Sequence, residues 1–185
     1  IYTGACPNQH LLPLFDYLLP RFGKRPYLLG ANYVWGWEMN RLAREAATRH
    51  LLRALYSPHQ VQEAMTWCWL NHFNVHQIKG NLRAMVGDYE NSAIRTNALG
   101  SFRSLLGAVV KHPAMLRYLD NAQNAAGRIN ENLARELMEL HTLGVNGGYT
   151  QADVRELARV LTGWTIGPQE ESGYRFAARL HDRGS

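Results

Sequence analysis

Apolar residues recur three and four positions apart over most of the chain after residue 40. Over residues 41–56 this spacing predicts a first helix. Ser57 and Gln60 form a predicted capping box with Pro58 at the first helical position, so a second helix should run from there to about residue 73. The same spacing predicts further helices over residues 98–111, 114–119, 129–143 and 150–164, the last with a capping box at Thr150 and Asp153.

The first 40 residues have a different character, with four prolines and four glycines that interrupt any regular pattern. They predict an irregular, aromatic-rich arm, with at most one short helix over residues 10–19, packed on the rest of the chain. At the other end, weak alternation over residues 174–180 suggests a short strand. We therefore predict an all-α fold: an arm over residues 1–40, then a compact bundle of about five to six helices over residues 41–185.

Composition narrows the class of protein but not its chemistry. Apolar residues make up 46% and charged residues 19% of the 185 residues, which is an ordinary globular balance. No apolar stretch approaches the ~20 residues of a membrane span. The net charge of +5 raises the question of nucleic acid, but the arginines are scattered, so we consider that partner unlikely. The chain begins at Ile1 and stops without a closing signal, which we interpret as a fragment of a longer protein.

The predicted helix over residues 129–143 carries a carboxylate on its apolar side. A stripe of large apolar residues runs along this helix, and Glu136 falls within its direction. Asn132 and Glu139 flank it at one border and His141 at the other, while Glu131 points away and can pair with Arg135. The stripe residues are Ile129, Leu133, Leu137, Leu140 and Leu143. We therefore expect Glu136 to be largely buried.

The predicted helix over residues 58–73 shows a similar break. His72 falls in the middle of an apolar face formed by Val61, Ala64, Met65, Cys68 and Trp69. A buried carboxylate or imidazole costs several kcal/mol unless it has a partner, so such groups should meet each other, an arginine, a metal or a polar ligand. A purely structural pairing, for example of Glu136 with an arginine, is the alternative interpretation.

Specific catalytic and metal motifs are weak. His72 and His76 have the spacing of a two-histidine helix site, but Phe73 stands where a zinc protease has glutamate. Glu136 and Glu139 lack the following histidine of a di-iron motif. A divalent metal held by Glu139 with Glu136 and His141 requires the helix to loosen before Gly144.

Several segments resemble a bacterial family of uncharacterised proteins, domain of unknown function 1800. The resemblance covers about residues 57–182. It rests on the following segments: Trp69-Leu70-Asn71-His72-Phe73, His112-Pro113-Ala114-Met115-Leu116-Arg117-Tyr118-Leu119-Asp120-Asn121, Asn130-Glu131-Asn132-Leu133-Ala134-Arg135-Glu136-Leu137-Met138-Glu139-Leu140-His141-Thr142-Leu143-Gly144 and Leu161-Thr162-Gly163-Trp164. Members of the family are usually longer and many look exported, so the resemblance implies a partial chain and a periplasmic or exported location. The family label supplies no chemistry.

Two hypotheses for the function follow. In the first, the chain is an acid–base or metal-assisted hydrolase with Glu136, His72 and His141 as catalytic groups. Asn132, Arg135 and Glu131 then bind the substrate. In the second, it is a non-enzymatic scaffold for an exported protein or an envelope polymer, which predicts an exposed apolar patch and no concave polar site.

Overall fold

The computed structural model describes residues 36–79, 81–167 and 173–184. Most of the predicted N-terminal arm, including its helix over residues 10–19, lies outside the described residues. Residues 36–40, which we assigned to the arm, instead form the beginning of the first helix. No helix in the described part has the length and apolar character that a membrane crossing requires.

The first two helices are joined by a three-residue connection. Helix α1 spans Gly36–Tyr56 and helix α2 spans Gln60–His72. Helix α2 starts two residues later than predicted, because Ser57 forms hydrogen bonds within the connection and does not cap the helix. Its Oγ accepts from the His59 N–H at 3.1 Å, and the Gln60 side chain donates to the Ser57 carbonyl at 2.7 Å.

Between α2 and the next long helix, the chain forms a succession of short helical turns for which we made no prediction. A 3₁₀ turn, Leu82–Ala84, leads into the three-residue helix α3, Val86–Asp88. A π-helix, Tyr89–Ile94, follows directly and gives way to a 3₁₀ turn, Arg95–Asn97. We call Tyr89–Ile94 the first π-helix. Wider π turns are uncommon and occur often at functional sites.

The centre of the molecule is built by two helices that meet at a proline. Helix α4, Phe102–Lys111, starts at the N-cap Ser101, and helix α5, Pro113–Tyr118, follows with Pro113 at its first position. His112 lies at the joint, where its Nδ1 accepts from the Ala114 N–H at 3.1 Å and its Nε2 lies 3.1 Å from Asp88 Oδ2. The fully buried side chains of the core include Phe73, Leu82, Met85, Tyr89, Ile94, Leu105, Val109, Met115, Leu116, Leu133 and Val154.

The predicted helix over residues 129–143 is shorter and changes pitch partway. Helix α6 covers Asn132–Glu136, and a second π-helix, Leu137–Thr142, continues it. The wider turn rotates the later residues relative to a regular α-helix. His141 therefore joins the buried line of Leu133 and Leu137, whereas Leu140 is 58% exposed. The predicted apolar stripe holds for Leu133 and Leu137 and is wrong for Ile129, Leu140 and Leu143, which are exposed.

The last helix, α7, covers Gln151–Val160 and has the predicted capping box. The Thr150 side chain accepts from the Asp153 N–H, and the Asp153 carboxylate accepts from the Thr150 N–H at 2.7 Å. After α7, strand β1, Trp164–Ile166, pairs antiparallel with strand β2, Tyr174–Phe176. The strand suggested over residues 174–180 is thus present over its first three residues, and Ala178–Leu180 forms a 3₁₀ turn. Gly163, between α7 and β1, has φ +78°, and a Cβ there would lie 2.8 Å from the Ala177 carbonyl oxygen.

Two buried asparagines tie this C-terminal part to the core. Asn121 donates to the carbonyls of Leu161 and Trp164, each at 3.1 Å. Asn124 donates to the Ala158 carbonyl at 2.8 Å. The bonds to Ala158 and Leu161 satisfy carbonyls at the end of α7 that have no partner within the helix, and the bond to Trp164 holds the start of β1. In the described residues, α-helices, π-helices and 3₁₀ turns surround one core with a single two-stranded sheet, so the predicted all-α class is confirmed.

The capping box of α7 gives a direct test of the local argument. Thr150→Ala removes the side-chain oxygen that accepts from the N3 amide, and we expect a loss of about 1 kcal/mol in the free energy of unfolding. Chemical denaturation of the two proteins measures it. Thr96→Ala is a suitable control, because Thr96 is an exposed threonine that does not cap a helix start. An equal loss in both variants would contradict the capping argument.

Candidate acid–base site

Glu136, on which the sequence argument depended, is not buried. Its side chain is half buried at the end of α6, and no hydrogen-bond or ion-pair partner for it occurs among the described residues. The prediction of a buried carboxylate is therefore wrong at this position. The physical reason is that Glu136 lies to one side of the line formed by Leu133, Leu137 and His141, where water still reaches it.

Two of the residues predicted to bind a substrate, Glu131 and Arg135, belong to a network of polar side chains on the surface, which we call the Arg135 ladder. Arg135 Nη2 donates to Glu131 Oε2 at 2.8 Å and to Gln151 Oε1 at 2.9 Å, and its Nη1 lies 3.4 Å from Glu139 Oε1. Gln151 in turn donates to Glu131 at 2.7 Å. Because Gln151 belongs to α7, this ladder joins α6 to α7. Asn132 is exposed, and its main-chain N–H donates to Asn130 Oδ1.

His141 and His72 lie together, on a different side from the Arg135 ladder. Their ring centroids are 5.8 Å apart, and His72 Nε2 lies 3.1 Å from the His141 carbonyl oxygen. His72, expected inside an apolar face, is exposed. His141 is buried, and its Nδ1 has no hydrogen-bond partner in the described residues. Burial lowers the pKa of the His141 imidazole, and the neighbouring His72 adds to that effect.

The three predicted catalytic groups are thus divided between a histidine pair and a separate half-exposed carboxylate. Within residues 36–79, 81–167 and 173–184, no three His, Cys, Asp or Glu side chains are grouped in a way that could hold a metal ion. Glu139, proposed as a ligand with Glu136 and His141, contacts Arg135 in the surface ladder.

Deeply buried carboxylates do occur, but on other elements. Glu63 on α2 is only 5% exposed and pairs with Arg95, whose Nε lies 3.2 Å from Glu63 Oε2 and whose Nη2 binds Oε1. The hydrogen bond from Arg95 lowers the pKa of the Glu63 carboxyl below its ordinary value, despite the opposing effect of burial. The buried side of α2 therefore carries Glu63 and Thr66, whereas Val61 and Cys68 of the predicted apolar face are exposed.

Glu90 is the second buried carboxylate, and its partner is a histidine. It lies on the first π-helix with 5% of its surface exposed. Its Oε1 is 2.9 Å from Nδ1 of His50, which comes from α1. Arg49 and Arg53, on the same side of α1, reach the Gly87 carbonyl at 3.4 Å and the Asn91 side chain at 3.3 Å. Three polar contacts, made by Arg49, His50 and Arg53, thus join α1 to the segment 87–91.

A cleft of about 350 Å³ opens beside this pair. The Trp67 ring lies over the His50 ring with centroids 5.1 Å apart, and Trp67 itself is exposed. The His50 side chain keeps 19% of its surface accessible, while the Glu90 side chain keeps 7%. The residues around the cleft are Ala43, Ala46, Ala47, His50, Trp67, Leu70, Asn74, Val75, His76, Gln77, Val86, Tyr89 and Glu90.

Sequence reasoning missed this site because the residues between 74 and 97 show no clear helical period. Because no helix or strand was predicted around Glu90, its side chain could not be assigned to a buried face. His50 was within a predicted helix. The large apolar residues near it, Leu51 and Leu55, lie on the other side of that helix and gave no sign that the His50 side is buried. One usable signal was present: His50 and the smaller residues Ala43, Ala46 and Ala47 share one side of α1.

The Glu63–Arg95 pair should contribute strongly to stability, with a defined pH dependence. Glu63→Gln leaves Arg95 partly buried without its counter-charge, and we expect a loss of about 3 kcal/mol in the free energy of unfolding at neutral pH. Because the folded-state pKa of Glu63 is lowered, this contribution is present above the ordinary value of 4.5 and is lost as the pH falls through the lower, folded-state value.

Denaturation at neutral pH and again in acid measures both effects. Glu45→Gln is the matched control, since Glu45 pairs with Arg41 on the exposed side of α1, where removal should cost at most about 0.5 kcal/mol. A Glu63→Gln variant as stable as the control at neutral pH would contradict the assignment. The difference between wild type and Glu63→Gln should shrink as the solution is acidified.

Glu136→Leu tests the half-exposed position. Since no counter-charge is lost, we expect the free energy of unfolding to rise or to change by no more than about 0.5 kcal/mol. Leu137→Ala, at the adjacent buried position, should cost about 2–5 kcal/mol by the same measurement. A loss of several kcal/mol in Glu136→Leu would mean that the carboxylate anchors a buried pair after all.

Comparison with known proteins identifies a family but no chemistry. No solved structure matches the chain. The model of one protein family, described as protein of unknown function (DUF1800), matches residues 19–185, which is most of the chain and includes every residue of the Glu90–His50 pair and of the Arg135 ladder. The chain therefore belongs to the DUF1800 family, as the segments around His72 and Glu136 indicated.

Proposed function

We propose that the chain is a hydrolase in which His50, held by Glu90, acts as the general base. The observation that carries this proposal is the 2.9 Å contact between His50 Nδ1 and a carboxylate that is almost fully buried, at the edge of a cleft. A carboxylate on Nδ1 is the arrangement by which a histidine is oriented for proton transfer through its other nitrogen.

The contact with Glu90 decides which imidazole nitrogen of His50 can accept a proton. An ionised carboxylate only accepts hydrogen bonds, so Glu90 requires the proton of a neutral His50 to sit on Nδ1. The lone pair of Nε2 is then available to remove a proton. Glu90 also stabilises the imidazolium that forms when His50 takes that proton.

The composition of the cleft indicates water as the nucleophile. None of the described residues that line it is a serine, threonine, cysteine or lysine. His50 would therefore remove a proton from water as the water attacks, and would return that proton to the leaving group. Asn74 and Gln77 supply neutral amide N–H donors that suit the developing oxyanion.

The same lining favours a neutral substrate. Its apolar part comes from alanine, leucine and valine side chains with Trp67, and Glu90 is the one Asp, Glu, Lys or Arg side chain among the lining residues that the structure describes. Without an arginine or lysine in this described lining, a phosphate or carboxylate group would be desolvated without compensation. An uncharged ester or amide with an apolar group adjoining the carbonyl is the substrate class that fits.

Turnover of neutral chromogenic esters by wild type and three variants tests the proposal. His50→Gln removes the base and should lower kcat/KM by about 10²–10⁴. Glu90→Gln keeps the shape but can hold the imidazole in the wrong tautomer, and should lower the rate within the same range. His59→Gln is the matched control, because His59 is exposed and makes no side-chain cap to α2. Melting temperatures of all four proteins establish that they are folded.

Equal rates in wild type and folded His50→Gln would contradict the proposal, as would the absence of turnover by wild type. The scaffold hypothesis would then be favoured by a specific feature, the exposed apolar surface that Leu51, Leu52, Leu55 and Tyr56 form on α1.

A further inference from the structure

One wall of the cleft beside His50 is a row of small apolar side chains. Ala43, Ala46 and Ala47 line the cleft, and we call them the alanine strip. They precede His50 on α1 by seven, four and three residues, so they share one face of the helix with it. Because an alanine side chain ends at Cβ, the strip leaves a smooth apolar channel that leads along α1 to the imidazole.

The other walls of the cleft follow the alanine strip. Trp67 and Leu70, one turn apart on α2, line it from that helix. From the segment 86–90, Val86 and Glu90 line it, and a Cβ on Gly87 would lie only 3.0 Å from the Ala46 Cβ. This segment therefore passes Ala46 before it meets His50 through Glu90. The polar pair stands at one end of the strip, and the wall beside Ala46 is apolar.

The length of the alanine strip sets the size of the group that fits it. At a rise of ~1.5 Å per residue, Ala43 lies ~10 Å from His50 along α1. Carbon–carbon bonds of ~1.5 Å give an extended alkyl chain an advance of ~1.3 Å per carbon, so the strip matches about seven or eight carbons. The cleft volume of about 350 Å³ lies at the low end of ligand pockets and suits one such chain.

We propose that the alanine strip binds a linear acyl chain of about six to eight carbons, with the ester carbonyl at His50, an inference that rests on the proposed hydrolase activity. Water adds its oxygen to the carbonyl carbon, and the acyl carbon–oxygen bond breaks. The alcohol leaves with the proton that His50 took from water, and the carboxylic acid is the second product. Each methylene buried along the strip favours binding, so longer chains are preferred until the strip is filled.

A series of p-nitrophenyl esters from acetate to dodecanoate tests the chain length. In wild type, kcat/KM should peak at hexanoate or octanoate, about tenfold or more above acetate. Ala47→Leu places a larger side chain on the strip one turn from His50, and should lower the octanoate-to-acetate ratio about tenfold or more. Ala54→Leu is the matched control, because Ala54 is an exposed alanine of α1 outside the described lining, and its ratio should equal that of wild type. Ester turnover with a flat profile, a preference for benzoate over octanoate, or equal ratios in both variants would overturn the proposal.

Binding of neutral alkyl amides separates the acyl site from the hydrolase activity. Titration of the His50→Gln chain with butanamide, hexanamide, octanamide and decanamide is followed by the NMR signal of the Trp67 indole N–H. The affinity should rise by up to about fourfold for each added methylene and level off beyond octanamide. Such a rise in a protein whose wild type hydrolyses no ester would support the acyl site and contradict the hydrolase. An affinity independent of chain length would overturn the acyl site even if wild type hydrolyses esters.

Discussion

Two buried carboxylates determine how the N-terminal half of the molecule is assembled. Glu63 and Glu90 are each removed from water, and each has one basic partner on a different element, Arg95 and His50 respectively. Since an unpaired buried charge is strongly destabilising, α1, α2 and the segment 87–97 can pack closely only in arrangements that bring these partners together. The pairs therefore specify the geometry of the packing, while the core around Phe73, Tyr89 and Leu105 supplies most of the favourable free energy.

The π-helices decide which side chains turn inward. In the first, the wider turn follows α3 and carries Glu90 beneath His50. In the second, it brings His141 into line with Leu133 and Leu137 and leaves Leu140 in solvent. Each π-helix thus buries one polar side chain, Glu90 in the first and His141 in the second. The result is a scaffold in which an imidazole beside a cleft is oriented by a carboxylate that water cannot easily reach.

Much of the fold could be predicted from local signals, and the site could not. The capping box at Thr150 and the proline at position 113 act within a few residues, so they can be recognised along the sequence. The principle that a buried carboxylate needs a companion was also correct, but it was applied to Glu136 rather than to Glu63 and Glu90. Hydrophobicity identified an apolar face on α2, yet the buried face holds Glu63, because Arg95, 32 residues away, compensates it. Such compensation depends on long-range contacts and on a change of helical pitch, and no local pattern reports either one.

The central claim is that Glu90 fixes the proton of His50 on Nδ1 and leaves Nε2 available as a base. Long-range ¹H–¹⁵N NMR of the imidazole nitrogens measures the tautomer directly, with His50→Gln used to assign the signals. We expect the Nδ1–H tautomer for neutral His50 in the wild-type chain and a mixture or reversal of tautomers in Glu90→Gln. A wild-type His50 with its proton on Nε2, or a tautomer indifferent to Glu90→Gln, would contradict it.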